Sequence, residues 1–298
     1  MQVEGTRPGV TVRVWGTRGS VPSPGTATRR HGGNTSCVTV QSPAGDCVVL
    51  DAGTGIRALG ETLVARADAD GRHEVSCSLF VTHAHWDHVQ GLPFFAPLYR
   101  PDARVRIYGP PALGVALERA VRDQMRPPAF PVSFDALPAR VTFHVAHDDG
   151  IECGTLRVRP LPVRHPGGAV GWRVDGADGA AMAYMPDNEI AGASEGPSRT
   201  AWLTALRGVG LLVHDATYTR EELPHRRGWG HSSWEEAVRL ATDAGVERLL
   251  LFHHHPDRSD RAVDAVVAES RALAESLGGA LRVTAAAEGL VLHVIPGG

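Results

Sequence analysis

The segment from His83 to His88 carries three histidines and an aspartate within six residues, directly after the apolar run Leu79-Phe80-Val81. Imidazole nitrogens and carboxylate oxygens are donors that Zn²⁺ and Mn²⁺ accept in proteins. A cation held with an open coordination position activates water and polarises a substrate oxygen. The pattern HxHxDH therefore predicts a metal centre with hydrolytic chemistry, although a histidine-rich turn is also compatible with a solvated surface loop.

Three later segments repeat this arrangement, in which an apolar strand ends at a residue able to bind a metal. They place His165 after residues 161–164, Asp187 after residues 183–186, and His253 after residues 249–252. Ligands at neighbouring strand ends are gathered by one sheet edge, which holds them rigidly. Because adjacent strand residues point to opposite faces, the last ligand is either His253 or His254. The other histidines of the run 253–255 are expected to form a polar exit, a solvent-exposed segment where the strand passes into a loop.

The composition predicts one globular unit. The chain has 298 residues, of which 43% are apolar and 21% charged, with a net charge of −3. We expect a single domain over residues 1–298, and no overall attraction for nucleic acid. The four cysteines are scattered, and neither an apolar leader nor a run of eighteen apolar residues is present. These features predict a cytoplasmic protein that does not enter a membrane.

Strands and helices must alternate to position the ligands. Hydrophobic periodicity predicts strands over residues 10–15, 37–40, 47–50, 78–82, 105–108, 156–163, 181–185, 211–214 and 249–252, with a final hairpin of 281–284 and 290–295. It predicts helices over residues 56–67, 113–124, 200–206, 233–243 and 261–277. Residues 16–34 form a long loop, and the proline-rich residues 126–138 form a crossover.

From Val12 to about Asp260, these motifs resemble the metallo-β-lactamase superfamily and follow its order. The resemblance implies an α/β fold, a four-layer αββα sandwich with two divalent metal ions where its sheets share an edge. It implies one metal held by His83, His85 and His165, a second held by Asp87, His88 and His253, and Asp187 as the bridge. Asp51 is implied to brace the metal loop without binding metal. We expect Zn²⁺ in preference to Mn²⁺.

Residues outside the metal set indicate the branch. Classical β-lactamases of this fold commonly have cysteine where Asp187 stands, and flavo-diiron oxidoreductases have glutamate where His85 stands. Four segments are instead similar to the phosphodiesterase branch, which includes the tRNA 3′-end-processing endonuclease and phosphodiesterases of cyclic nucleotides and cyclic ribose phosphates. They are Gly16-Thr17-Arg18-Gly19-Ser20, residues 32–36, His214-Asp215-Ala216-Thr217-Tyr218 and Gly230-His231-Ser232-Ser233.

This similarity implies a mechanism. A hydroxide that bridges the metals attacks phosphorus, and Asp87 holds its hydrogen. His231 protonates the leaving oxygen and is oriented by Asp215, where the endonuclease has glutamate. A serine after His231, followed by glutamate, is also a helix-start signal, so this segment serves a helix cap as well.

The implied function is a dinuclear metal-dependent phosphodiesterase on a small cyclic nucleotide or cyclic ribose phosphate. Arg18, Arg227 and Trp229 are candidates for contacts with the phosphate and a base, with a solvated basic turn as the alternative. A nucleic-acid partner is not expected, because no basic arm is evident. A homodimer is expected from related phosphodiesterases. The alternatives are a tRNA 3′-end endonuclease, a lactonase or thioesterase on the same metal scaffold, and a metal-binding sensor.

Overall fold

Two seven-stranded sheets form the centre of the protein, within residues 8–71, 74–192 and 196–296, which the computed structural model describes. The first sheet contains, in spatial order, β14 (Val291–Val294), β1 (Val10–Gly16), β2 (Cys37–Gln41), β3 (Cys47–Leu50), β4 (Val75–Phe80), β5 (Ala103–Gly109) and β6 (Arg140–Val145). The second contains β13 (Arg282–Ala285), β12 (Arg248–Phe252), β11 (Leu211–Asp215), β10 (Ala181–Met185), β9 (Val170–Gly176), β8 (Leu156–Pro162) and β7 (Ile151–Cys153).

The sheets pack face to face, and helices cover their outer faces. On β3, Val48 and Leu50 enter the core between the sheets, whereas Val49 packs in the outer core with Ile56 and Leu59. Both faces of such strands are therefore buried, which explains their continuous apolar runs. The helices are α1 (Ile56–Ala69) and α3 (Val115–Asp123) on the first sheet, and α4 (Arg199–Ala205), α5 (Trp234–Asp243) and α6 (Asp260–Ser276) on the second. This layering confirms the predicted αββα sandwich.

Strand direction brings the candidate site together. β3, β4, β5 and β6 run parallel to one another, as do β10, β11, β12 and β13. β8 also runs in the direction of β10, because both are antiparallel to the strand between them. The carboxyl ends of parallel strands meet at one sheet edge, where open α/β sheets place their binding sites. The loops after β4, β8, β10, β11 and β12 all begin at such ends.

Most predicted elements are confirmed, with two kinds of error. The predicted final hairpin is wrong, because β13 pairs with β12 in the second sheet and β14 pairs with β1 in the first. The two strands alternate apolar and polar residues as hairpin strands do. However, the segment between them contains Ala286, which is buried in the core between the sheets, and connects one sheet to the other. β6, β7 and β9 were not predicted; β9 contains two glycines that weaken its strand signal. Residues 126–138 lie in the β5–β6 crossover, as predicted.

No helix in the described part of the chain is both long and apolar enough to cross a membrane. The four cysteines are free thiols, and Cys37 and Cys77 are buried.

Candidate metal centre

Seven side chains from both sheets meet at the shared edge. After β4 the chain enters a short helix, α2 (Trp86–Val89), which carries Asp87 and His88. The other members come from the loop before α2 and from the ends of β8, β10 and β12. One group with donor atoms within 4.8 Å of one another contains His83, His85, His165 and Asp187, and a second contains Asp87, His88 and His253. The structure thus brings together all seven residues predicted as metal ligands.

Asp187 lies between the two groups. Its Oδ2 is 3.5 Å from Nε2 of His83 and 3.5 Å from Nε2 of His165. Its Oδ1 is 3.2 Å from Nε2 of His88 and 3.2 Å from Nε2 of His253. Each carboxylate oxygen therefore faces a different histidine group, which is the arrangement a bridging ligand requires.

Several buried atoms in this centre that could bind a metal make no hydrogen bond. Among the described residues, Nε2 of His83, Nε2 of His88 and Oδ1 of Asp187 are buried and accept or donate no hydrogen bond. An unsatisfied buried polar atom is costly, so native proteins normally provide a partner. Imidazole nitrogens that converge with carboxylate oxygens suit divalent cations such as Zn²⁺ or Mn²⁺, so these residues are able to bind metal.

In four of the five histidines predicted as ligands, Nδ1 lies within hydrogen-bond distance of a neighbouring oxygen. Such contacts set the tautomer and direct the other nitrogen toward a metal. They join His83 Nδ1 to Thr82 Oγ1 at 3.0 Å, His88 Nδ1 to Asp51 Oδ2 at 2.7 Å, His165 Nδ1 to the Gly230 carbonyl at 2.8 Å, and His253 Nδ1 to Thr217 Oγ1 at 2.9 Å. His85 instead presents Nδ1 to the centre, 3.0 Å from His165 Nε2.

Asp51 lies behind the ligands. It is fully buried and accepts hydrogen bonds from the Thr82 amide at 2.7 Å, the Thr82 hydroxyl at 3.0 Å and the Tyr184 hydroxyl at 3.1 Å. Together with the contact to His88, these bonds connect the segment 82–88 to the end of β3. The bond from Tyr184 adds a connection to the second sheet. The structure places Asp51 where it supports His88 and does not point into either ligand group.

The first loop closes over the second group. The Ser20 amide donates to Asp87 Oδ2 at 2.7 Å, and the same oxygen lies 3.1 Å from His253 Nε2. Gly19 permits this approach, because a Cβ there would lie 2.2 Å from the His253 ring. His253 and Asp51 both adopt left-handed backbone conformations, with φ of 57° and 60°. Such φ values are strained for residues other than glycine.

A histidine–carboxylate pair stands beside the centre. His231 Nδ1 is 2.7 Å from Asp215 Oδ2, and Asp215 also accepts from the amide and hydroxyl of Thr217 at 2.9 and 2.8 Å. His231 offers a ring nitrogen within 4.8 Å of donor atoms of Asp187 and His253. The shorter aspartate side chain at position 215 is therefore long enough to pair with His231.

Charges around the centre set the protonation of its rings. Burial lowers the pKa of His231, but the Asp215 carboxylate opposes burial and raises this pKa to about 9. Burial lowers the pKa values of His83, His85 and His165, which keeps these rings neutral, as ligands must be. Burial also disfavours the charged form of His88, but the surrounding carboxylates hold its pKa well above the usual range. A cation bound at His88 would have to displace a proton.

The sequence profile of the β-lactamase superfamily domain matches residues 47–254, which is more than half of the chain. The chain belongs to the metallo-β-lactamase superfamily. This membership confirms the predicted family and the predicted enzyme class, a metal-dependent hydrolase.

Known relatives of this superfamily hydrolase cover most of its length. Ribonuclease BN from Cronobacter sakazakii is 23% identical over 240 residues, which cover 65% of this chain and 76% of that protein. The metallo-β-lactamase-fold protein YhfI from Bacillus subtilis superposes with a TM-score of 0.68 at 19% identity, covering 96% of this chain and 99% of that one. A diphosphatase of the PhnP family superposes with a TM-score of 0.63 at 21% identity, covering 95% and 97%. The two structures share the fold.

Two expectations about this hydrolase need correction. Arg18 is fully buried, and its guanidinium donates to the carbonyls of Gly32, His255 and Arg258 at 2.7, 3.1 and 2.7 Å, so it cannot contact a substrate phosphate. His254 does not form a polar exit, because it is only 3% exposed and its Nε2 lies 3.0 Å from the Ala286 carbonyl. Buried polar groups find internal partners in this way.

The other two predicted substrate residues lie on the loop that precedes His231. Arg227 donates to the Ala191 carbonyl at 3.0 Å, which leaves part of its guanidinium exposed. Trp229 is 57% exposed.

Sequence reasoning missed Glu189 and Tyr184 in this hydrolase. Glu189 is 1% exposed, although it follows Asp187 by only two residues in the segment Pro186-Asp187-Asn188-Glu189. A second acid beside a predicted ligand was the only available signal, and an exposed glutamate would give the same one. Tyr184 reads as a core aromatic, and its hydroxyl contact depends on how the sheets stack.

Proposed function

We propose that this protein is a dinuclear metal-dependent phosphodiesterase that acts on a small cyclic nucleotide or cyclic ribose phosphate. The observation that carries the proposal is the pairing of His231 with Asp215 beside two groups of candidate ligands, with Asp187 between them. We further propose a single domain over residues 1–298, a homodimer and a cytoplasmic location.

The residues divide the chemistry among them. His83, His85 and His165 would hold one divalent cation, and Asp87, His88 and His253 a second, with Asp187 shared. Zn²⁺ is preferred to Mn²⁺ for this donor set. When bound, the cations supply an activated water and neutralise charge on the phosphoryl oxygens.

His231 acts as the general acid. Its Nδ1 is held by Asp215 Oδ2, so Nε2 carries the proton that passes to the departing alkoxide oxygen. Asp215 stabilises the protonated ring, which keeps the acid charged at neutral pH. Asp87 has a fixed orientation because the Ser20 amide donates to it, and it accepts the hydrogen of the attacking water.

The comparisons favour phosphate chemistry in general terms. Ribonuclease BN and the PhnP-family diphosphatase, by their names, both cleave phosphate linkages. The ribonuclease match keeps a tRNA 3′-end endonuclease as the second candidate. A small substrate is preferred because the chain has a net charge of −3, and affinity for tRNA depends largely on phosphate contacts.

The first experiment combines metal analysis with a substrate panel. We expect about two metal ions per chain, and turnover of bis(p-nitrophenyl) phosphate and of cyclic mononucleotides by the Zn²⁺ or Mn²⁺ form. His85→Ala should lose both metal and turnover. A lactone, a thioester and a pre-tRNA test the alternatives; turnover of only the lactone or thioester would contradict the phosphodiesterase proposal.

His231→Ala separates the acid from the metal centre. We expect kcat on phosphodiesters to fall about 10²- to 10⁴-fold with metal content retained, and lactone hydrolysis to change little. His225→Ala is the matched control, since this exposed histidine lies in the same segment and touches none of the seven ligands. Equal losses on phosphodiesters and lactones would show that His231 supports the site and does not act as an acid.

A further inference from the structure

The loop that precedes His231 is fastened to the metal centre at both sides of Trp229. The buried carboxylate of Glu189 accepts from the Gly228 amide at 3.0 and 3.1 Å and from the Gly230 amide at 3.0 Å. The Gly230 carbonyl is 2.8 Å from Nδ1 of the ligand His165. The backbone on each side of the tryptophan is therefore fixed relative to the centre.

Glycine on both sides makes this fastening possible. Gly228 and Gly230 have φ of 83° and 87°, in the left-handed region that glycine tolerates. A Cβ on Gly230 would also lie 2.1 Å from His165 Nδ1. The backbone of residues 228–230 thus lies so close to the His165 ring that a side chain at position 230 would not fit. Trp229 is the side chain that this segment presents beside the centre.

The ring of Trp229 is exposed in spite of this anchoring. It is 57% exposed, and the Arg226 guanidinium lies over it at 4.8 Å from the ring centroid. A large apolar ring is normally buried or mobile at a surface, whereas here a buried carboxylate and a ligand histidine hold its backbone. Cation stacking orders the ring further.

We propose that Trp229 is a stacking surface for an aromatic base, so that the substrate class is a nucleotide phosphodiester and not a base-free ribose phosphate. Glu189 is the positioning residue that holds this surface beside the metals. The inference rests on the proposed function for the phosphate that the centre receives. The inference adds that the substrate carries an aromatic base, which the phosphodiesterase chemistry alone does not specify.

Binding of two matched products tests the proposal without requiring turnover. Adenosine 5′-monophosphate and ribose 5-phosphate share sugar and phosphate and differ by the base. Their Kd values are measured by calorimetry on the metal-loaded protein. Since stacking of a base on an aromatic side chain favours binding, we expect the nucleotide to bind roughly tenfold or more tightly than the sugar phosphate.

Variants assign this preference to the ring and to its anchor. Trp229→Ala should remove most of the preference, and Trp229→Phe should keep most of it, because a phenyl ring still stacks. Glu189→Gln should reduce the preference, since both amides lose a charged acceptor and one carboxylate oxygen is replaced by an NH2 group, which cannot accept from them. Phe94→Ala is the matched control, because Phe94 is an aromatic residue of similar exposure, 59%, that packs against Phe130; it should leave the preference at the wild-type value.

The outcomes are distinct. Equal Kd values for the two products in the wild type would overturn the inference, as would a nucleotide preference that survives Trp229→Ala or is equally lost in Phe94→Ala. A preference that depends on Trp229, in a protein that does not hydrolyse bis(p-nitrophenyl) phosphate, would support the stacking surface and contradict the proposed function.

Discussion

Two histidine–carboxylate pairs of the same length occupy different parts of the centre. His88 Nδ1 lies 2.7 Å from Asp51, and His231 Nδ1 lies 2.7 Å from Asp215. The first pair is fully buried and belongs to the first sheet. The second belongs to the second sheet, and the His231 side chain keeps 11% of its surface exposed.

The surroundings of the other ring nitrogen decide the role of each pair. His88 Nε2 faces two carboxylates, Asp187 at 3.2 Å and Asp87 at 3.3 Å, which is the arrangement proposed to hold a cation. His231 instead stands at the accessible side, where a substrate oxygen can reach its proton. In the proposed mechanism, one local geometry serves ligand orientation in one place and acid catalysis in another, so such a pair identifies neither role by itself.

Removing Asp51, the carboxylate of the first pair, should have the largest effect on stability. Asp51→Ala leaves the Thr82 amide, the Tyr184 hydroxyl and His88 without their acceptor. We expect a loss of about 3–5 kcal/mol in the free energy of unfolding, measured in urea, because a buried charged partner is removed. Metal affinity, measured by chelator competition, should fall about 10- to 100-fold.

Asp46→Ala is the control for this change, since Asp46 also accepts an amide and a hydroxyl hydrogen bond, from Thr155, but at the surface. It should leave metal affinity unchanged. Wild-type metal binding by Asp51→Ala would show that the buried pair does not orient His88.

Removing Asp215, the carboxylate of the second pair, should alter the pH profile. A general acid must be protonated, so activity is present below the pKa of His231 and is lost as pH rises through it. Burial lowers the pKa of His231, and Asp215 is the largest of the charges that raise it to about 9, so loss of that charge lowers the pKa. At pH values above the pKa of the variant, the protonated fraction, and with it kcat, should fall about tenfold for each unit by which the pKa is lowered in Asp215→Asn.

The measurement is kcat against pH for both proteins. Bound cations lower the pKa of the ring in each, so the test is the displacement of the alkaline limb toward lower pH in the variant. An unshifted limb would contradict acid catalysis by His231. Metal content should match the wild type, in contrast to Asp51→Ala.

The smallest effect should come from the helix cap next to His231. Ser233 accepts from the Glu236 amide and forms a capping box at the start of α5. Ser233→Ala should cost about 1 kcal/mol of stability and leave the pH profile unchanged, because Asp215 holds His231 independently. Ser198→Ala, which removes a similar cap from α4, is the control. Loss of the alkaline limb in Ser233→Ala alone would mean that capping and catalysis are not separable.

The residues that meet at the candidate metal centre were predictable from the sequence because they stand at strand ends. An apolar run followed by histidine or aspartate indicates both the strand and its function, as at His165, Asp187 and His253. The pairing of β13 and β14 was predicted wrongly for a physical reason. Each strand pairs with a strand that is distant in the chain, and the alternation of apolar and polar residues does not specify the partner.

Buried polar residues were the hardest to predict. Arg18 and Glu189 have the side chains of surface residues, yet each binds backbone groups from a remote segment. Only the folded arrangement creates those unsatisfied groups, so no local pattern marks the residue that will complete them. The same reason explains why His254 was misassigned, whereas its neighbour His253 was placed with the ligands.

The left-handed backbone at Asp51 and His253 has a consequence for the natural history of this protein and for attempts to engineer it. At most such positions selection can settle on glycine, but here a glycine would remove a side chain on which the metal centre depends. The protein therefore retains about 1–2 kcal/mol of strain at each position. Glycine at position 51 would lose more stability in hydrogen bonds than it gains from relieved strain, whereas glycine at position 253 would relieve strain only together with a loss of turnover.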